Sequence, residues 1–92
     1  MIGSFASKDT ERLWNRHPVA RFRSFEHIAL RKMAQLDAAT SLDDLKFPPG
    51  NRLEALKGDR KGQMSLRIND QWRICFLWKD GRPESVEIVD YH

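Results

Sequence analysis

QMSLRINDQWRICFLWKDGRPESVEIVDYH, residues 63–92, decides the fold. Taken two residues at a time, the stretch contains three alternating runs. Met64, Leu66 and Ile68 alternate with Ser65, Arg67 and Asn69. Trp72, Ile74, Phe76 and Trp78 alternate with Arg73, Cys75, Leu77 and Lys79, and Val86 and Ile88 stand against Glu87 and Val89. Successive strand residues point to opposite faces, so each run reads as a strand with one apolar side. The separators, Asn69-Asp70 and Lys79-Asp80-Gly81-Arg82, are short and rich in turn formers. These features predict an antiparallel meander with its apolar face on a core. The other face carries Arg67 and Arg73, the run closes on Asp90-Tyr91-His92, and a functional surface is expected on that arginine face.

Upstream, the pattern is helical. Ile28, Ala29, Met33 and Leu36 recur at helical spacing and predict a helix from about Phe25 to Ala39, with Ser24 as N-cap and Arg31, Lys32 and Gln35 facing water. Ser7 or Asp9 can cap a shorter helix through Thr10, Leu13 and Trp14 that stops near His17-Pro18. Ile2 to Phe5 reads as a short strand, and Arg16 to Arg23 as a basic loop. Ser41 caps one further turn through Leu42 and Leu45, ended by Pro48-Pro49-Gly50. Leu53 to Leu56 reads as a short extended piece. The loop Lys57 to Gly62 follows, its glycines open to unusual backbone paths. Helices first and strands after predict an α+β fold, with N-terminal helices packed on one face of a small antiparallel sheet. Ile28, Leu36, Ile74, Phe76, Val86 and Ile88 are the expected core.

Composition narrows the function classes. Ninety-two residues make one domain, 1–92, with a single modest core. No apolar run approaches the roughly 20 residues that cross a bilayer. Met1 to Phe5 lacks the regions of a signal peptide, so a cytoplasmic protein with no membrane partner is expected. The single cysteine, Cys75, sits within a strand and excludes a disulfide framework. Net charge is +3, and Arg52 to Arg82 holds eight Lys/Arg against four Asp/Glu. That excess favours a polyanion such as nucleic acid, although a solvated basic surface explains charge alone equally well.

His17, His27 and His92 have no zinc spacing, and no glycine-rich phosphate loop opens a helix, so no metal and no cofactor are expected. What remains is Glu54, Lys57, Arg60, Arg67, Arg73, Asp90, Tyr91 and His92. These residue types suit phosphodiester cleavage in RNA. The 2′-hydroxyl needs a base, the leaving 5′-oxygen needs an acid, and the crowded phosphorus needs fixed cations. A base at the cut also needs an aromatic or guanidinium plane to stack on.

The blocks Asn51-Arg52-Leu53-Glu54-Ala55-Leu56-Lys57-Gly58-Asp59-Arg60, Ser65-Leu66-Arg67-Ile68-Asn69 and Gln71-Trp72-Arg73-Ile74, with the closing Asp90-Tyr91-His92, resemble the HigB branch of the RelE toxin superfamily over nearly the whole chain. The resemblance implies a RelE-like fold and a metal-independent endoribonuclease that cuts translated mRNA in the A site of the 70S ribosome. It also implies neutralisation by a helix-turn-helix antitoxin. As carried over, His92 is the general acid or base, Tyr91 stacks on a base, and Arg67 and Arg73 stabilise the phosphorus. Asp90 completes the catalytic set, and Lys57, Arg60 and Lys61 grip RNA. Glu54 stands where several HigB-type members carry histidine and other branches a glutamate, which implies a base or an orienting group. Position alone assigns nothing to His92, because chain ends fray. The alternative on the same residues is a non-catalytic module that binds RNA or protein through its basic face.

Overall fold

The computed structural model describes residues 1–91; His92, expected in the site, lies outside the described residues. Two helices, α1 (Lys8–Trp14) and α2 (Glu26–Ala38), precede four strands: β1 (Glu54–Ala55), β2 (Met64–Arg67), β3 (Trp72–Lys79) and β4 (Arg82–Asp90). The strands form one antiparallel sheet in the order β1-β2-β3-β4. The meander of β2, β3 and β4 lies where the alternation placed it. The extended piece near Leu53 to Leu56 becomes β1, an edge strand on β2.

The core forms because the alternation brings apolar residues into register. Leu66 opposes Ile74, and Ile74 opposes Ile88. All three are at most 2% exposed, with Phe76 and Val86 fully buried beside them. Ala29, Met33 and Leu36 of α2 close over this face, each at 0% exposure. Thr10 ties α1 to the sheet: its buried hydroxyl accepts the Ile88 amide at 2.9 Å and bonds the Ser7 hydroxyl at 2.7 Å. Ser7 Oγ in turn accepts the Thr10 amide, the N-cap bond expected of a serine there.

Three helix expectations need correction. Ile28 is 37% exposed, because it lies roughly 100° around the axis from Ala29 and so outside the 29/33/36 face. Ser24 does not cap α2. A 3-10 turn, Ala20–Phe25, occupies part of the expected basic loop and runs directly into the helix. Phe25 holds the cap position without a side-chain bond. The turn has its own purpose in the core: Phe22 and Phe25 are buried, and Trp72 packs edge-on to Phe22 and tilted on Phe25 at 5.7 and 5.0 Å. Lys32 and Gln35 are half-buried rather than fully in water, because both reach the amide of Asn51.

Asn51 is fully buried. Its Nδ2 donates to the carbonyls of Leu45 at 3.2 Å and Phe47 at 3.0 Å and to Gln35 Oε1 at 3.0 Å, and Lys32 Nζ donates to its Oδ1. Burial, then the charges of Arg31 and Arg67, lower the Lys32 pKa. The segment between α2 and β1 is thus pinned to the helix by a buried amide. It forms two short 3-10 turns, Leu42–Lys46 and Pro49–Asn51. Asp44 accepts the Thr40 and Ser41 amides at the first turn, and those backbone bonds hold its pKa low.

The far edge is closed by the N-terminus. Phe5 bridges Val86 in parallel, and Gly3 N donates to the Pro83 carbonyl at 2.8 Å, so the short strand expected at Ile2 to Phe5 is realised as edge pairing. A shift of register between Cys75 and Leu77 leaves one extra residue in β4 near Ser85, whose φ is +52°. This bulge changes the strand's phase, so that Pro83 and Val86 are both buried.

Candidate functional site

The outer face of the sheet is built by the odd-numbered residues of β2 and β3 and, past the bulge, of the end of β4. Ser65 opposes Cys75, and Cys75 opposes Glu87; on the next row Arg67 opposes Arg73, and Arg73 opposes Val89. Glu54 of β1 opposes Ser65 and joins the first row. Two arginines directly across a strand pair repel each other, so each must be held by something else.

They are held differently. Arg67 donates to the exposed carboxylate of Asp70 three residues on, a local ion pair. Arg73 is held by neutral oxygens. Its Nε donates to Ser65 Oγ at 2.7 Å, and its NH2 donates to the Arg52 carbonyl at 2.7 Å. Its guanidinium carbon lies 5.9 Å from the centre of the Tyr91 ring, within reach of a cation–π attraction. A guanidinium carries five N–H groups, and these two bonds use two of them.

Beside Tyr91 lies an open cleft of about 360 Å³ lined by Glu54, Ala55, Leu56, Lys57 and Tyr91. Tyr91 is 39% exposed, yet its backbone is anchored: its amide donates to the Gln71 carbonyl at 2.6 Å, extending the β3–β4 pairing past the strand end. Tyr91 therefore presents a ring on a fixed backbone. Lys57 begins the basic loop, whose path uses Gly58 and Gly62 at φ +65° and +95°, where side chains are strained.

Glu54, Lys57 and Tyr91 thus line one cleft, and Arg73 stands beside it across the Tyr91 ring. Arg67 is one strand away on the same face, tied to Asp70. Arg60 leaves the cleft and lies over the sheet, bonded to Gln63 Oε1 at 3.1 Å and Glu87 Oε1 at 3.4 Å. Lys61 is exposed in the loop. Asp90 opposes Trp72, so strand alternation turns it to the opposite face from Arg73. Its Oδ2 accepts Gln71 Nε2 at 3.1 Å, bracing the β2–β3 turn against the end of β4. Among the described residues, no three His, Cys, Asp or Glu side chains converge as a metal site.

Ser65, the Arg52 carbonyl and Cys75 are parts of this face that residue type alone did not single out. Ser65 has a sequence signal, since it alternates with Arg67 on the polar side of β2. The Arg52 carbonyl has none, because the contact spans 21 positions. Cys75 is buried at the centre of the outer face. Burial pushes its thiol pKa up, Arg60 and Arg73 pull it down and Glu87 raises it, with a net upward shift that keeps it a neutral thiol.

A family model described as a RelE-like toxin of type II toxin–antitoxin system HigB matches residues 4–92. Over 58 residues the chain is 50% identical to Toxin HigB-1 of Vibrio cholerae serotype O1, covering 63% of this chain and 61% of that protein. Over 61 residues it is 33% identical to Endoribonuclease HigB of Proteus vulgaris, covering 66% of this chain and 65% of that protein. The chain therefore spans less than two thirds of either relative's length. In three dimensions it is similar to a YafQ mutant from E. coli, at TM-score 0.64 and 17% identity over 98% of this chain and 91% of that one. It is similar too to a heterotetrameric YoeB–YefM toxin–antitoxin complex from Staphylococcus aureus, at TM-score 0.63 and 17% identity over 100% and 98% of the two chains. At such identities the structural likeness establishes the fold.

Proposed function

The chain belongs to the HigB-like family of RelE-like toxins of type II toxin–antitoxin systems, and on that premise we propose that it is a ribosome-dependent mRNA endonuclease. The relative named Endoribonuclease HigB supports RNA as the substrate class. The observation that carries the reading is Arg73, held by two neutral oxygens against the Tyr91 ring beside the cleft of Glu54 and Lys57.

The chemistry follows from those groups. A nucleotide enters with its base on the Tyr91 ring and its 3′-phosphate against Arg73. The 2′-hydroxyl attacks that phosphorus, the bond to the 5′-oxygen breaks, and the products are a 2′,3′-cyclic phosphate and a free 5′-hydroxyl. Arg73 stabilises the charge that grows on the equatorial oxygens, and a cation held in place beforehand does so without reorganising. Arg67, one strand away, adds positive field and can exchange Asp70 for phosphate. Glu54, on the cleft wall, orients the 2′-hydroxyl or takes its proton. His92, next in the chain to the anchored Tyr91, exchanges a proton with the reacting oxygens, a task suited to imidazole near neutral pH. Asp90 supports this terminus through Gln71. Lys57 contacts the RNA backbone at the cleft, and Arg60 and Lys61 contact ribosomal RNA around it. No metal is required, since side chains supply the cations.

The partners proposed are translated mRNA, the 70S ribosome and a helix-turn-helix antitoxin. The toxin–antitoxin family and the YoeB–YefM complex support an antitoxin of some kind. Action on translating ribosomes places the protein in the cytoplasm, and no helix among the described residues is long and apolar enough to cross a membrane.

The test is a pulse of expression followed by primer extension on cellular mRNA. Cuts inside translated codons are expected, and deletion of His92 should abolish them with the melting temperature nearly unchanged. Growth arrest with intact mRNA would instead favour a non-catalytic binding module.

A further inference from the structure

We propose that Ser65 and Asn51 are positioning residues that hold the Arg73 guanidinium in its working orientation. The proposal rests on the endonuclease reading above and adds to it the parts that keep its central cation in place.

Ser65 acts directly. It is fully buried although it stands on the polar face of β2, beneath Arg73, and its hydroxyl accepts Nε–H at 2.7 Å. A bond at Nε fixes the plane of the guanidinium, because Nε is the point about which the group turns. The second bond, to the Arg52 carbonyl at 2.7 Å, fixes the rotation that remains. Together they leave the opposite edge of the fork for phosphate, whose two oxygens match it.

Asn51 acts through the backbone. The Arg52 carbonyl reaches Arg73 from a residue in the left-handed region, φ 45° and ψ 56°, which is uncommon for a long side chain. Such a conformation persists only where its surroundings over-determine it. Here the turn does so: the Arg52 amide donates to the Pro49 carbonyl at 3.1 Å, and the turn itself is anchored by the buried Asn51 amide, tied to the Leu45 and Phe47 carbonyls, to Gln35 and to Lys32. A side-chain network on α2 is thereby connected, through one peptide unit, to the cation at the cleft. Two arginines opposed across β2 and β3 repel, so without these restraints Arg73 would swing toward water.

The experiment combines turnover on mRNA-programmed ribosomes with hydrogen exchange at the Arg73 Nε–H, assigned by its loss in Arg73→Lys. In the parent, this proton should exchange far more slowly than those of exposed arginines. Ser65→Ala should abolish that protection and lower kcat by about ten- to a hundredfold with KM for ribosomes unchanged. Ser65→Thr, which keeps a hydroxyl, should restore both. In an Arg73→Lys background Ser65→Ala should cost nothing further, since its partner is already gone. Asn51→Ala should lose protection too. It also removes a buried amide from the α2 contact, so Ser65→Ala at the strand carries the decision alone if Asn51→Ala does not fold. Fast exchange in the parent overturns the proposal, as does parental kcat in Ser65→Ala or a loss that adds to that of Arg73→Lys. An inactive parent on programmed ribosomes instead overturns the endonuclease reading and the proposal with it, whatever the exchange shows.

Discussion

The two faces of the sheet are made by the same strands and are physically opposite. On the inner face Leu66, Ile74 and Ile88 meet in one row, buried against α2. On the outer face the next row is Arg67, Arg73 and Val89, with two like charges opposed. The inner row lowers the free energy of the fold by removing apolar surface from water. The outer row opposes two like charges, and its arginines are restrained by Asp70, by Ser65 and by a backbone carbonyl. One strand can carry a cost on one side because the other side supplies the stability. Side chains placed this way sit on rigid backbone, which a loop could not provide.

This division is easiest to break on the inner side. Phe76→Ala should cost about 3–5 kcal/mol, measured by chemical denaturation, because it empties a fully buried site. Ile28→Ala, from an exposed position on α2, should cost less than about 1.5 kcal/mol. A melting temperature for Phe76→Ala within a degree or two of the parent would show that β3 does not face the core as described.

The outer side should respond in activity and not in stability. Tyr91→Ala should lower cleavage by about tenfold, the value of one base stack. Tyr91→Phe, which keeps the ring, should come close to the parent. Equal losses in both would assign the effect to the hydroxyl and remove stacking from the account. A smaller effect belongs to Arg60, which is paired to Glu87 away from the cleft. Arg60→Ala should weaken ribosome association a few-fold and flatten its salt dependence, with the chemical step unaltered. A fall in single-turnover rate at saturating ribosomes would put Arg60 in the cleft after all.

The contrast between faces was legible in the sequence because alternation is a local property, and Leu66, Ile74 and Ile88 announce it within a few residues of themselves. The helix spacing gave α2 but not its exact facing, since Ile28 and Ala29 are adjacent and only tertiary packing chooses between them. Ser24 looked like a cap because serine before an apolar periodic run usually is one, and the 3-10 turn that displaces it is stabilised by Phe22 and Phe25 against the distant Trp72. Lys32 and Gln35 looked solvated for a similar reason: their partner Asn51 is 16 or more positions away. At the site, residue types named Glu54, Lys57 and Tyr91, which line one cleft, and Arg73, which stands beside it at the Tyr91 ring. They could not show that Asp90 faces the other way, which follows from counting the strand's alternation back from Tyr91. Nor could they show how Arg73 is held, which depends on a carbonyl and hence on fold rather than composition.

The central claim is that Arg73 belongs to the chemistry of the outer face and not to the stability of the sheet. It is tested most directly by single-turnover cleavage of mRNA on programmed ribosomes by Arg73→Ala, alongside its thermal melt. The expected result is a loss of well over tenfold, on the order of a hundredfold, in the rate of the chemical step, with a melting temperature within a few degrees of the parent. Cleavage at the parental rate by a folded Arg73→Ala protein would contradict the claim and return Arg73 to the solvated surface.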